Sequence, residues 1–339
     1  MGRWLIWLAC GVASATVWAS YVPAPARGRL DAFAPFTQLL AVRPALATGL
    51  ALIAAAGLAL TRGRIAAAAP FLLLLLCAAL AWAQMAPRAI SDAPADAKAE
   101  AGITVLTANT LRSSVAPRVI VGLVRRTDAD VVSLPETNAL LARRIARALT
   151  AGGDERWQAF DDRVTRPDDE RARPTSLVVR AALGARRLPE GARAPHAHGQ
   201  VRVRLTRMRT RSGRRGGPAL AAVHALPPAP VATQQHWRRD VLALRPLCRA
   251  GWVVVGDLNA TLDHSPMHAL RDAGCADAGA ATGQGLKTTW VVGPLGVFRL
   301  VIDHVLTSGR WRATASGVLP IAGSDHRAVW ARIAERRPG

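Results

Sequence analysis

The sequence predicts an α/β or α+β domain over residues 102–335, preceded by a membrane-embedded amino-terminal part. Three observations carry this prediction. From Gly102 onward, short apolar runs alternate with amphipathic stretches. Polar residues capable of chemistry sit at the ends of those runs. Ahead of them, residues 1–86 hold three long stretches almost free of charge.

The three stretches are about residues 4–22, 45–61 and 65–86, each near the ~20 residues a helix needs to cross a bilayer. Pro70 falls in the first turns of the third, where a missing N–H is tolerated. Taken alone, the first also fits a signal peptide, with Arg3, an apolar run and Ala19-Ser20. A buried pair of core helices is the soluble alternative. Runs this long and uncharged favour an anchor. Arg3, with Arg62 and Arg64 between the second and third spans, places those ends in the cytoplasm. Arg27, Arg29 and Arg43 in the other loop weaken the bias. Three spans starting inside leave the remaining chain outside. Residues 87–101, small, polar and Pro-containing, read as a linker.

Within the globular part, strands are expected at 103–108, 130–134, 201–205, 219–223, 301–306 and 328–333. Helices are expected at 115–126 with Ser114 as N-cap, at 138–149, and at 234–247 with Pro246 near its end. The Arg-rich segments 163–173 and 207–217 read as loops or hairpin tips.

Composition narrows the partners. The net charge is +21, and Lys98 and Lys287 are the only lysines. Such a surface attracts polyanions, whether nucleic acid, phosphorylated lipid or anionic headgroups. Arg and Ala richness also arises from genome composition. The cysteines, Cys10, Cys77, Cys248 and Cys275, have no metal-type spacing. A Cys248–Cys275 bridge is permitted outside the cell, and nothing in the sequence demands it.

The most informative stretch is 251–266. Trp252 to Val255 reads as a strand buried on both faces, broken by Gly256. Asp257 and Asn259 follow, two apart, so in an extended backbone they project together. Such a pair can accept a proton from water, hold a phosphate oxygen, or sit near a hard cation. An Asx-turn explains the same residues. Other run ends carry Asn109, Glu136, His224, the Asp303-His304 pair and the Asp325-His326 pair. Each has an ordinary structural explanation: a hydrogen-bonded histidine, a solvated glutamate, a turn. Their repeated placement at strand ends is what sheet enzymes show.

As an ordered set, these residues resemble the endonuclease/exonuclease/phosphatase superfamily, which includes DNase I-like nucleases, inositol-phosphate phosphatases and neutral sphingomyelinases. The matching elements are Thr107-Ala-Asn109, Asp130-Val-Val-Ser-Leu-Pro-Glu136, Val223-His224, Gly256-Asp-Leu-Asn-Ala260, Thr288-Thr-Trp290, Ile302-Asp-His-Val-Leu306 and Ser324-Asp-His326. They span about residues 102–333. Pro135 stands where Gln is common, and Leu258 where Phe is common. The resemblance implies a four-layer sandwich of two mixed β-sheets flanked by helices. It also implies hydrolysis of a phosphate ester with Mg²⁺ or Mn²⁺. It assigns Asn109, Glu136 and Asp325 to the metal, and His224, Asp257, Asn259, Asp303 and His326 to catalysis. His304, neighbouring Asp303 on a strand, is expected to point away and be structural. The expected substrate is nucleic acid. A phosphoinositide or sphingomyelin headgroup is the alternative within the class, and a non-catalytic polyanion-binding module the alternative outside it. Three spans without internal charge offer little for a transport pathway. Oligomeric state is unreadable.

Overall fold

Val253, Val254 and Val255 are almost wholly buried, their side chains alternating between two different apolar clusters. A strand buried on both faces needs a layer on each side, and the computed structural model supplies both. It describes Gly11 and residues 35–61, 65–92, 102–153, 155–162, 173–189, 199–208, 216–229, 231–292 and 298–336. The chain forms two compact units, Met1–Pro87 with Asp263–Ser265, and Arg88–Leu262 with Pro266–Gly339.

The first unit holds α1 (Phe36–Ala41), α2 (Arg43–Leu60) and α3 (Ile65–Met85). Arg43–Leu60 and Ala67–Ala89 are long and apolar enough to cross a membrane. The α2 and α3 helices pack on small residues. Ala47, Leu50, Ala54 and Gly57 recur at three and four on α2, and Ala78 and Ala81 are buried on α3. A Cβ on Gly57 would strike the Phe71 ring, so only glycine admits that ring here. Leu52, Ile53, Leu72, Leu73 and Leu76 point outward, leaving these helices apolar all round. The α2 and α3 helices lie within two residues of the apolar stretches 45–61 and 65–86. The first, 4–22, lies outside the described residues apart from Gly11, as does 93–101 of the expected linker.

The second unit begins β1 (Gly102–Thr107), α4 (Pro117–Thr127), β2 (Val131–Leu134), α5 (Ala139–Ala151), β3 (Trp157–Asp161) and β4 (Ser176–Arg180). It continues β5 (Ala185–Arg187), β6 (Gly199–Leu205), β7 (Ala219–His224), α6 (Gln234–Leu242), α7 (Arg245–Arg249) and β8 (Val253–Asp257). After α8 (Ser265–Asp272) come β9 (Cys275–Asp277), α9 (Ala278–Ala281), β10 (Trp290–Val292) and β11 (Phe298–Leu300). The chain closes with β12 (Asp303–Ser308), β13 (Trp311–Pro320) and β14 (Arg327–Glu335).

Two six-stranded sheets result, ordered β13-β14-β1-β2-β4-β3 and β5-β6-β7-β8-β12-β9. Both are mixed: β1/β2 and β7/β8 are parallel, and the other pairs antiparallel. They face each other across a core that includes Val105, Val131 and Val329 from the first and Leu220, Val255 and Val305 from the second. The α4 and α5 helices cover the outer face of the first sheet, and α6, α7 and α8 that of the second. This is the expected four-layer sandwich.

Some local expectations are corrected. Ser114 does not cap α4. Ala116 takes that position with Pro117 at the first turn, and the Ser114 hydroxyl instead donates to the Thr110 carbonyl at 3.2 Å. The single helix expected over 234–247 is two, since Pro246 cannot donate inside a helix and instead sits in the first turn of α7. Gly256 does not break its strand: it pairs within β8 with Val223 and His304. A Cβ there would lie 1.9 Å from the Val223 carbonyl, so glycine is what allows β7 and β8 to approach. Cys248 and Cys275 form a disulfide, joining the end of α7 to the start of β9. Of the Arg-rich segments, 163–172 and 209–215 lie outside the described residues.

Candidate active site

Strand register assembles the site. His224 on β7 pairs with Asp257 on β8, and Asp257 pairs with Asp303 on β12. The three form one row across adjacent strands, two residues beyond the core positions Ala222, Val255 and Val305. Side chains repeat every two residues along a strand, so the row sits on the inter-sheet face where the apolar core ends. All three residues are buried.

Asp257 is held by its neighbours. Asn109 Nδ2 donates to its Oδ2 at 3.1 Å, and the Asn259 backbone N–H donates to Oδ1 at 2.9 Å. His224 Nε2 lies 3.7 Å and His326 Nε2 3.8 Å from Oδ2. Burial, reinforced by the Asp303 charge, pushes the Asp257 carboxyl up to about 7 against the lowering pull of His326 and the two hydrogen bonds. The extended-backbone premise for Asp257 and Asn259 fails, because Asn259 is left-handed at φ 48°. The Asx-turn reading holds, and the turn folds Asn259 back over Asp257. Asn259 Nδ2 donates to the Ala225 carbonyl at 2.9 Å, leaving its second N–H for a ligand.

His326 Nδ1 faces Asp303 Oδ2 at 2.9 Å, so Nδ1 carries the proton. Burial disfavours the imidazolium, but the Asp303 carboxylate, then Asp257 and Asp325, outweigh it and raise its pKa to about 10. Among the described residues, Asp257, Asp303 and His326 form a buried group close enough to hold an ion. In this geometry the His326 ring itself lies between the two carboxylates.

The third component is a loop pair. Leu111, Arg112 and Ser113 are all left-handed, at φ 47°, 55° and 63°, and Glu136 joins them at 56°. Such strain persists only where surroundings impose it. Here Thr110 Oγ1 and Ser113 Oγ donate to the Glu136 carbonyl at 3.0 and 3.2 Å. The Arg112 N–H donates to Glu136 Oε2 at 2.9 Å, and Arg173 Nε lies 3.7 Å from the same oxygen. Ser324 Oγ donates to the Asn109 carbonyl at 3.0 Å, tying the 324–326 turn to this loop. Asp325 Oδ2 accepts from Trp290 Nε1 at 2.8 Å. Its Oδ1, and Asp303 Oδ1, are buried and have no partner among the described residues.

Every expected site residue therefore lies in this region or in its supporting loops. His304 points to the opposite face, as expected, bonding Asp277 Oδ2 and the Ala260 carbonyl, each at 2.8 Å. Two neighbours were not assigned roles from sequence. Thr289 Oγ1 accepts from the Ile302 and Asp303 backbone N–H groups at 3.0 and 3.1 Å, fixing the start of β12. Trp290 grips Asp325. Both lie in the Thr-Thr-Trp element, which was the available signal.

Two facing mixed sheets with helices outside, and a polar row at the strand ends on the inner face, form the DNase I-like architecture. The chain belongs to the endonuclease/exonuclease/phosphatase family, whose model matches residues 106–326, more than half of its length. D. rerio TDP2 complexed with single-strand DNA product is similar at TM-score 0.54 and 14% identity, over 69% of this chain and 99% of that one. The human Nocturnin catalytic domain with bound sulfate gives 0.51 and 16%, over 70% and 95%. The family protein from Beutenbergia cavernae DSM 12333 gives 0.51 and 15%, over 70% and 72%. No curated protein matches the chain by sequence.

Proposed function

We propose that this protein is a membrane-tethered, divalent-metal-dependent phosphodiesterase acting on nucleic acid. The observation that carries the reading is the buried His326 ring between Asp303 and Asp257, beside an unpartnered Asp325 oxygen.

Asn109, Glu136 and Asp325 would hold Mg²⁺ or Mn²⁺. The donors are hard oxygens, which these ions prefer, and the orphaned Asp325 Oδ1 is what a cation site predicts. When bound, the ion polarises a phosphoryl oxygen and offsets developing charge. The chain's own groups do the rest. Asp257, with its pKa raised toward neutrality, takes a proton from the attacking water. His326, held by Asp303, neutralises the phosphate and delivers a proton to the leaving oxygen. His224 and the free Asn259 N–H contact a non-bridging oxygen.

The DNA product of the TDP2 complex and the sulfate of the Nocturnin structure support a phosphate-binding reading. The helices Arg43–Leu60 and Ala67–Ala89 support the tether. A second reading, hydrolysis of a phosphorylated lipid headgroup, is favoured by that same tether. The Cys248–Cys275 disulfide supports a catalytic unit outside the cytoplasm, where such bonds persist.

The test is hydrolysis by the full chain in detergent with Mg²⁺, using plasmid DNA, a phosphoinositide and sphingomyelin in parallel. DNA cleavage supports the nuclease reading. Headgroup release with intact DNA replaces it by the lipid reading. DNA retention in a gel shift without hydrolysis of any substrate replaces both by a binding module.

A further inference from the structure

We propose that Trp290 is a positioning residue for Asp325, fixing the direction in which that carboxylate presents its free oxygen to the metal. The inference rests on the metal reading of Asp325 given above. Backbone pairing brings the two segments together. Trp290 forms a β-bridge with His326, the Val291 N–H donates to the Asp325 carbonyl at 3.2 Å, and the Arg327 N–H donates to the Thr289 carbonyl at 2.6 Å. Side chains then lock the pair. The indole N–H donates to Asp325 Oδ2 at 2.8 Å, and the indole and imidazole ring centroids lie 6.3 Å apart at a 50° tilt.

Rotation of a carboxylate about its terminal torsion is broad and weakly restrained. Holding one oxygen sets where the other points, and here the other is the buried, unpartnered Oδ1. The choice of donor matters. An indole N–H donates but carries no charge. Arginine or lysine in its place would orient Asp325 as well but would partly neutralise it and repel a cation. Trp290 is therefore suited to supporting a metal ligand in a way a charged partner is not. Partners that orient ligands in this manner typically contribute 10–100-fold in metal affinity.

The experiment measures Mn²⁺ binding by calorimetry on the full chain in detergent, without substrate, for wild type, Trp290→Phe, Asp325→Asn and the double variant. Trp290→Phe keeps the ring and removes the donor. About 10-fold weaker Mn²⁺ binding is expected, with a double variant no weaker than Asp325→Asn alone. Wild-type affinity in Trp290→Phe beside weakened Asp325→Asn overturns the proposal, as do losses that simply add. Wild-type binding by Asp325→Asn removes the metal reading itself and the proposal with it. Should Trp290→Phe fail to fold, Mn²⁺ titration of ¹⁵N-labelled wild type decides. Broadening of an indole N–H at stoichiometric metal supports the contact, and broadening of none overturns it.

Discussion

At the scale of single residues, two opposed titrations set the pH dependence of the proposed chemistry. In the proposed mechanism Asp257 acts as a base only when ionised, and its pKa is raised to about 7 by burial and Asp303. In the same mechanism His326 acts only when protonated, and its pKa is raised to about 10 by the Asp303 carboxylate against the opposing effect of burial. Catalysis by the metal-loaded enzyme should climb as pH passes the Asp257 value and fall as it passes the His326 value, a bell in kcat/KM against pH. Asp257→Ala or His326→Ala should each lower kcat by at least about 100-fold. Wild-type rates in either variant remove the assigned roles. Asp240 gives a prediction independent of activity. Burial raises its pKa to about 6, against the lowering effect of its hydrogen bond from the Leu226 N–H. A raised carboxyl favours the protonated folded state. Its contribution is thus fully present below the unfolded value near 4 and is lost as pH rises through 6. Asp240→Asn cannot ionise. Relative to wild type it should gain about 2 kcal/mol of stability between pH 4 and pH 7, read from urea midpoints at both. A difference independent of pH contradicts this. The residues that the fold gathers at this polar row were legible in the sequence, because each ends an apolar run. Thr289 and Trp290 were not, because their roles are hydrogen bonds made across the fold to Asp303 and Asp325.

At the scale of elements, sequence reading succeeded where a buried strand shows an uninterrupted apolar run, as in β7 and β8. It missed β13, whose Trp-Arg-Ala-Thr-Ala-Ser-Gly composition carries no clear alternation. That strand is specified by its partner β14, with a bulge between Ala313 and Ala315 and with Gly317 leaving room for the Trp330 ring. The left-handed run Leu111–Ser113 was equally invisible, since its conformation is imposed by bonds to Glu136. Gly256→Ala tests the element-level claim most simply. The new methyl would meet the Val223 carbonyl, forcing β7 from β8 and separating His224 from Asp257. It should cost more than about 2 kcal/mol and lower activity with it. The Cys248–Cys275 bridge spans 27 residues of sequence and pins the edge strand β9. Replacing both cysteines by serine should cost about 3 kcal/mol by closure of a loop of that order. Dithiothreitol should lower the urea midpoint of wild type and leave the double variant unchanged.

At the scale of the molecule, two kinds of sequence lie in one chain: helices apolar on every side, and a basic, arginine-rich sandwich built around one polar row. The net charge of +21 draws the chain toward polyanions whether or not they are substrates. Binding alone therefore says little, and hydrolysis is the discriminating property. The direct measurement is nicking of supercoiled plasmid by the full chain in detergent with Mg²⁺, with EDTA and the His326→Ala variant as controls. Relaxation of the plasmid that EDTA stops and the variant lacks is the predicted result. Intact plasmid in the presence of Mg²⁺, or equal nicking by wild type and His326→Ala, would contradict it.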